Sequence, residues 1–208
     1  MNMIRILFQG DSITDAFRAR EDEKNLGCGY PNLVAAELGF ENPGKYEFLN
    51  KGVSGDRIVD LQARIKKDMI NLKPDVISIL IGINDVWHEI EEHNGVSTAK
   101  YELLYDMLIK EIKNELENAK LMIIEPFVLQ GTATSGKWES FKQGQMEKAE
   151  AAKGVAYRNG VPFVPLQEKF NAVSKLAPDG FWLADGVHPT PAGHELIKRE
   201  WIKAFKKL

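Results

Sequence analysis

The strongest constraint on the fold is an almost wholly apolar run of strand length at residues 76–81 (VISILI). A strand with so little polar character must be covered on both faces, as strands are in a parallel sheet with helices packed on either side. Shorter apolar runs recur along the chain, and stretches in which apolar residues have helical spacing separate them. The apolar runs predict β-strands at residues 4–8, 46–49, 76–81, 121–124 and 161–164.

Helical spacing of apolar residues predicts helices at residues 58–72, 101–116 and 139–158. A last helix is predicted to begin after Thr190, which can cap it, with Pro191 in its first turn. The charged segment 14–30 is predicted to be a loop or the edge of a lid. Alternating strands and helices predict parallel strands joined by right-handed crossovers. We therefore expect an α/β protein, a three-layer α/β/α sandwich with a central five-stranded parallel sheet, in which residues 1–208 form a single domain.

Composition narrows the possible partners. The chain has 208 residues and a net charge of −3, with scattered basic residues, so neither nucleic acid nor an anionic membrane is predicted as a partner. The single cysteine, Cys28, cannot form an internal disulfide, and between two glycines it is expected to have a structural or incidental role. The apolar run at residues 3–8 is too short for a signal sequence or a membrane span. A cytoplasmic location is expected.

Four polar segments that contain glycine follow the predicted strands or precede the last helix. They are residues 9–14, 50–56, 82–85 and 185–189. Ligands of open α/β sheets bind at the carboxyl ends of the strands. These segments span most of the sequence, but the architecture predicts that they converge on one rim.

The residue types in these segments match the requirements of acyl transfer, which needs a nucleophile, a base, a group that orients the base and donors for an oxyanion. Ser12 can supply the hydroxyl and His188 the base, and Asp185 is close enough in sequence to orient His188. The backbone N–H groups of Ser12 and Gly55 and the side-chain amide of Asn84 can form the oxyanion hole. We expect a serine esterase acting on a small-molecule ester, with no cofactor and no metal ion.

Each of these residues taken singly has a simpler explanation. Ser12 could cap the next helix, Gly55 and Asn84 could be turn residues, and Asp185 with His188 could be a surface pair. The catalytic interpretation depends on their conjunction, because all the required groups are present and all map to one rim. A non-catalytic carbohydrate-binding or regulatory protein on the same scaffold is the alternative from another functional class.

The four segments resemble, in order and in type, the signature blocks of the SGNH (GDSL) hydrolase family, whose fold is flavodoxin-like. The resemblance covers residues 6–194 and implies Ser12 as nucleophile, Gly55 and Asn84 as oxyanion donors, and Asp185 with His188 as the rest of the triad. Ile13 stands where many members have leucine, which is a conservative departure.

A narrower resemblance concerns the segments 10–15, 50–55, 81–87 and 188–194, which are similar to those of intracellular acetylxylan esterases. It implies deacetylation of acetylated xylo-oligosaccharides or related sugars, and assembly into a homo-oligomer as one possibility. A lysophospholipase-like or thioesterase-like acylhydrolase is the alternative within the same reaction class.

Trp87 and Trp182 are candidate substrate-binding residues, because aromatic faces stack on the apolar faces of sugars. Core packing is an equally good explanation of both from the sequence, and the two interpretations stay open here.

Two further patterns are weaker. His88, Glu92 and His93 could be imagined as a metal cluster, but a solvated charged helix face is the better interpretation. Residues 131–137 imitate a phosphate-binding loop, but Trp138 occupies the position at which Ser or Thr would hold Mg²⁺. This segment is expected to be a mobile loop near the active-site rim. A phosphate-handling enzyme built on it is a third hypothesis.

Overall fold

One central sheet of parallel strands organises the computed structural model, which describes residues 3–208. The strands lie in the order β2-β1-β3-β4-β5, and every neighbouring pair is parallel. The predicted α/β fold class is confirmed. The strands are β1 (Ile4–Gly10), β2 (Tyr46–Asn50), β3 (Val76–Leu80), β4 (Lys120–Ile124) and β5 (Phe163–Val164).

Helices cover both faces of the sheet, which explains the apolar character of its central strand. All five residues of β3 are buried. Its side chains alternate between two cores, with Val76 and Leu80 in one and Ile77 and Ile79 in the other. The helices are α1 (Ser12–Asp15), α2 (Tyr30–Glu41), α3 (Ile58–Ala63), α4 (Ile65–Asp68), α5 (Ile83–Glu92), α6 (Thr98–Glu115), α7 (Trp138–Arg158), α8 (Gln167–Val173), α9 (Asp179–Trp182) and α10 (Pro191–Phe205).

The two cores belong to different sets of helices. Helices α2, α5, α8 and α10 contribute buried side chains to the first core, and α3, α4 and α6 contribute to the second. Helix α7 contributes to both, with Phe141 in the first and Ala152 in the second. Within residues 3–208, no helix is both long and apolar enough to cross a membrane.

The prediction of one continuous helix at residues 58–72 is wrong, because the segment is broken into shorter pieces. The segment forms α3, α4 and a 3-10 turn at Ile70–Leu72, with the first break at Arg64. The Arg64 guanidinium donates to the side chains of Asp56 and Gln9 and to the carbonyl of Lys51. These tertiary contacts hold Arg64 outside helical geometry, whereas the predicted apolar face remains turned to the core.

The last strand is shorter than the predicted 161–164. The N–H of Val161 bonds to the carbonyl of Ala156, which closes the end of α7, and Pro162 has no N–H to give to a strand ladder. Pairing therefore begins at Phe163, on the edge of the sheet.

The order of the strands singles out one position at the carboxyl edge of the sheet as the expected ligand site. The chain passes from β1 outward to β2 and then returns to β3 on the other side of β1. The point between β1 and β3 is thus a topological switch point, where ligands of such sheets bind. The segments that follow β1 and β3 contain Ser12 and Asn84.

Candidate active site

Ser12 is presented by a single helical turn directly after β1. The side chain of Asp11 accepts the N–H of Ile13 at 3.0 Å and so caps α1. The helix ends after one turn at Ala16, whose φ of 42° is left-handed. The short turn holds Ser12 at the sheet edge, with its side chain only partly buried.

A continuous hydrogen-bonded chain joins the three predicted triad residues. Ser12 Oγ lies 3.0 Å from His188 Nε2, across 176 positions of sequence, and His188 Nδ1 lies 2.7 Å from Asp185 Oδ2. With Nδ1 donating to the carboxylate, Nε2 is the acceptor that faces the hydroxyl. A hydroxyl, an imidazole and a carboxylate in this order can carry out acyl transfer.

Asp185 and His188 are held in one tight turn. Asp185 Oδ1 accepts the backbone N–H groups of Val187 at 2.9 Å and His188 at 2.8 Å. The carbonyl of His188 in turn accepts the N–H of Ala184. The two carboxylate oxygens therefore have separate tasks, since one fixes the turn and the other faces the imidazole.

The pKa values of this pair move in opposite directions. Burial would raise the pKa of Asp185, but hydrogen bonds from the side chain and backbone of His188 and from Val187 outweigh it and lower the pKa to about 2. The hydrogen bond to Asp185 raises the pKa of His188, against the opposing effect of partial burial. Asp185 is thus a carboxylate at neutral pH, and the imidazolium form of His188 is stabilised.

Three N–H donors lie at the carboxyl ends of β1, β2 and β3. Among the hydrogen bonds of residues 3–208, none uses the backbone N–H of Ser12 or Gly55. Asn84 Nδ2 donates one of its two N–H groups to the carbonyl of Asp56 at 3.0 Å, which orients the amide. Ser12, Gly55 and Asn84 all line the same cavity, and three N–H groups in such a position can act as donors to an oxyanion.

Asn50 and Arg64 hold the loop after β2 in place, and sequence reasoning missed both. Asn50 Nδ2 donates to the carbonyls of Thr14 and Leu26, and its Oδ1 accepts the N–H of Gly52. Arg64 binds the carboxylate of Asp56 at 2.7 Å. The signals available in the sequence were their positions, one at the end of a strand and one on a predicted helix face.

Gly52 is required by a close approach between two loops. A Cβ atom at Gly52 would overlap the backbone nitrogen of Asp15, so a larger residue would push α1 away from the β2 loop. The glycine thus brings the turn that contains Ser12 against the segment that contains Gly55.

Two buried carboxyl groups lie behind the site. Burial raises the pKa of Asp11 to about 7 and that of Asp85 to about 8. Asp85 accepts the N–H of Ile58, which joins α5 to the start of α3. Asp11 interacts electrostatically with His188. The observed contribution of the two groups to the loops around Ser12 is their hydrogen bonds to the N–H groups of Ile13 and Ile58.

A cavity of about 860 Å³ opens over Ser12 and His188. Trp87 lines it, with its ring centroid 5.9 Å from that of His188, and also packs against the first core. Trp182 is not among the lining residues, since its ring packs on the core and against Phe181. Of the two interpretations left open for Trp182, its position matches core packing, whereas Trp87 both lines the cavity and packs on the core. The residues that line the cavity are Ser12, Ile13, Asp15, Ala16, Phe17, Arg18, Arg20, Cys28, Ser54, Gly55, Asn84, Trp87, His88, Glu91, Glu92, His188, Pro189, Pro191 and His194.

The segment expected to be a mobile rim loop, residues 131–138, instead packs against the turn of Asp185. The N–H of Ala133 donates to the carbonyl of Asp185 at 2.9 Å, and a Cβ atom at Gly131 would overlap the same backbone. Thr134 is fully buried and its hydroxyl donates to the carbonyl of Leu129. The segment supports the position of Asp185.

His88 lies in α5 and His93 directly follows it. Across the part of the chain that the structure describes, no three His, Cys, Asp or Glu side chains are grouped closely enough to bind a metal ion. His88 lines the cavity, whereas His93 ends α5 with a left-handed φ of 53°.

Comparison with known proteins decides the family. A model of the GDSL-like lipase/acylhydrolase family matches residues 8–196. The chain belongs to this family. It is therefore a carboxylic ester hydrolase, and the resemblance seen in the sequence is confirmed.

Relatives with the same fold cover almost the whole chain. An acetylxylan esterase from Geobacillus stearothermophilus is 32% identical over 96% of this chain and 92% of its own length. The crystal structure of Axe2, an acetylxylan esterase from the same organism, is 32% identical and superposes with a TM-score of 0.84 over 97% of this chain and 93% of that one. A protein from Parabacteroides merdae described as a GDSL-like lipase is 33% identical and has a TM-score of 0.93, over 99% and 98% of the two chains.

Proposed function

We propose that this GDSL-family esterase removes acetyl groups from carbohydrates such as acetylated xylo-oligosaccharides, with Ser12, His188 and Asp185 as its catalytic triad. The observation that carries the proposal is the chain of hydrogen bonds from Ser12 Oγ through His188 to Asp185, at 3.0 and 2.7 Å, with Ser12 and His188 on the cavity wall. No other serine of residues 3–208 is hydrogen-bonded to a histidine.

Acylation begins with attack of Ser12 Oγ on the ester carbonyl, as its proton passes to His188 Nε2. The carbonyl oxygen becomes an oxyanion and accepts from the N–H groups of Ser12 and Gly55 and from the Asn84 amide. One such donor typically contributes about 10²–10³ in rate. Collapse of the intermediate breaks the ester C–O bond, and the alcohol departs with the proton from His188.

Deacylation repeats the same steps with water as the nucleophile. His188 takes a proton from the water, which attacks the acetyl-Ser12 carbonyl, and then returns the proton to Ser12 as acetate leaves. Asp185 remains ionised throughout, since its low pKa keeps it a carboxylate. It holds the imidazole orientation and stabilises the imidazolium.

Related variants support the assignment of the triad. Structures of the Geobacillus esterase changed at one serine, one aspartate or one histidine are described as catalytic mutants. The aspartate and histidine replaced there are three positions apart, as are Asp185 and His188.

The cavity walls carry charged groups that can bind a polar alcohol. Arg18, Arg20, Glu91 and Glu92 are among the residues that line the cavity. Apolar side chains line the cavity as well, so the choice between a short and a long acyl group is left to the ester series described below. Trp87 gives the cavity an aromatic face on which a sugar can stack. These features support a sugar ester as the substrate.

The test of this function is the release of acetate from acetylated xylo-oligosaccharides, alongside a p-nitrophenyl ester series of increasing acyl length. One methylene that a pocket cannot hold changes kcat/KM by about 10- to 200-fold. We therefore expect acetate to be preferred over octanoate by at least about tenfold. A preference for octanoate would support the lysophospholipase-like alternative, and no hydrolysis of any ester would support the binding-protein alternative.

The pH profile tests the role of His188 separately. His188 must be neutral to accept the proton of Ser12, and its pKa lies above the ordinary value of about 6.5. The active form is therefore lost as pH falls through that raised pKa, so kcat/KM should decrease about tenfold per pH unit below it. Hydrolysis of p-nitrophenyl acetate from pH 4 to 9, corrected for spontaneous hydrolysis, measures this. A rate that stays constant between pH 5 and 8 would contradict His188 as the base.

A further inference from the structure

His194 is a histidine of the active-site cavity that the catalytic chain does not use. It lies in the first turns of α10 and is only 7% exposed, yet it lines the cavity together with Cys28 and Pro191. It makes no hydrogen bond to Ser12, His188 or Asp185. The presence of this buried polar ring at the cavity wall therefore needs its own explanation.

The first nitrogen of the ring has a structural task. His194 Nδ1 accepts the backbone N–H of Tyr30 at 3.1 Å. Tyr30 opens α2, and the preceding Gly29 has no side chain to cap it, so His194 takes the place of a cap. A ring nitrogen can accept a hydrogen bond only when it carries no proton. Nδ1 is therefore unprotonated, and the proton of the neutral ring is on Nε2.

The second nitrogen is left as a donor. His194 Nε2 has no hydrogen-bond partner within residues 3–208, and because Nδ1 faces α2, the Nε2 edge is the one that remains to border the cavity. Burial, assisted by the charge of His188, lowers the pKa of His194 to about 4, so the ring is neutral at pH 7. Nε2 is not among the buried side-chain atoms of residues 3–208 that lack a partner, so it is open to the cavity, where a bound ligand can accept its N–H.

The volume of the cavity indicates which part of the substrate lies near this donor. An acetyl group fills only a small fraction of 860 Å³, so most of the cavity must hold the alcohol. We propose that His194 Nε2–H donates a hydrogen bond to a hydroxyl or ring oxygen of the departing sugar, and that His194 thereby determines specificity for the alcohol. This inference rests on the proposed function of the site.

Two substitutions separate the tasks of the two nitrogens. In His194→Asn, the amide oxygen stands where Nδ1 was and can accept from Tyr30, but the donor at Nε2 is lost. In His194→Gln, an N–H donor stands near the position of Nε2, but the acceptor for Tyr30 is lost. Each variant is assayed with acetylated xylo-oligosaccharide and with phenyl acetate, whose leaving group has no further oxygen.

Loss of one neutral hydrogen bond corresponds to about a 2- to 12-fold change. We expect the ratio of kcat/KM for the sugar ester to that for phenyl acetate to fall by this factor in His194→Asn, mainly through KM, and to be largely retained in His194→Gln. The control is His93→Asn, an exposed histidine outside the cavity whose left-handed φ asparagine tolerates. Melting temperatures show whether each variant is folded.

Several outcomes would overturn the inference. An unchanged ratio in His194→Asn would mean that the ring only caps α2, and an equal loss on both substrates would mean general disturbance of the site. If His194→Gln does not fold, the ratio of the asparagine variant decides alone. A wild type that cleaves phenyl acetate but no sugar ester would instead overturn the proposed carbohydrate substrate, and this inference with it.

Discussion

Replacement of Ser12 with alanine should lower kcat for p-nitrophenyl acetate by about 10⁶-fold, which is the scale seen when the nucleophile of a serine hydrolase is removed. The reason is geometric. Ser12 Oγ is the hydroxyl that lies 3.0 Å from His188 Nε2, at the switch point of the sheet and beside the amide of Asn84. Without Oγ no acyl-enzyme can form, and only the binding contribution of the cavity remains.

The measurement is the steady-state rate after subtraction of spontaneous hydrolysis, supported by mass spectrometry of trapped enzyme. Wild-type protein quenched during turnover should carry an added acetyl group on Ser12, and the variant should not. The matched control is Ser54→Ala, which removes a hydroxyl from the same cavity that bonds to Asp15 and not to His188. Comparable rates in wild type and Ser12→Ala would place the nucleophile elsewhere.

Replacement of Asp185 with asparagine should lower kcat by about 10⁴-fold, because a neutral amide no longer selects the productive imidazole tautomer. Asp185 Oδ2 accepts from His188 Nδ1 at 2.7 Å, and the carboxylate raises the pKa of His188. An amide at this position can donate to Nδ1, which would put the proton on Nε2 and remove the acceptor that faces Ser12.

A second, independent prediction concerns the pH–rate profile of the same variant. Loss of the carboxylate should lower the pKa of His188, so the acid limb of the remaining pH–rate profile should move to lower pH. Asp22→Asn is the control, since Asp22 is an exposed aspartate whose contact, the N–H of Lys24, an amide oxygen can also accept. A loss of rate without a shift of the acid limb would indicate that Asp185 only fixes the turn.

The sequence predicted best those elements in which one local signal was strong. Apolar runs located β1 to β4 to within two residues, and helical spacing located α6 and α7. The predicted cap at Thr190 is confirmed, since its side chain accepts the N–H of Gly193 at 3.3 Å. In each case periodicity, capping or β-branched content acts over a few residues and does not depend on distant contacts.

The sequence was less informative where packing decides. Helix α2 was not predicted, because apolar residues are spread around it, from buried Val34 and Leu38 to exposed Phe40. The break at Arg64 depends on acceptors brought from other segments. Trp87 and Trp182 could not be told apart, because a tryptophan at a cavity wall and one on a core have the same local sequence signals.

The sequence by itself determined the residue types, their order and the architecture that brings them to one rim. Strand and helix periodicities are local properties, and the right-handedness of crossover connections is common to all parallel sheets, so neither depends on particular distant contacts. Only the tertiary structure decided the distances, since the contact of Ser12 with His188 spans 176 positions. It also showed that Trp182 packs on the core, and that His194 both accepts the N–H of Tyr30 at the start of α2 and lines the cavity. Contacts between distant segments depend on how side chains fill the shared space, which no local pattern records.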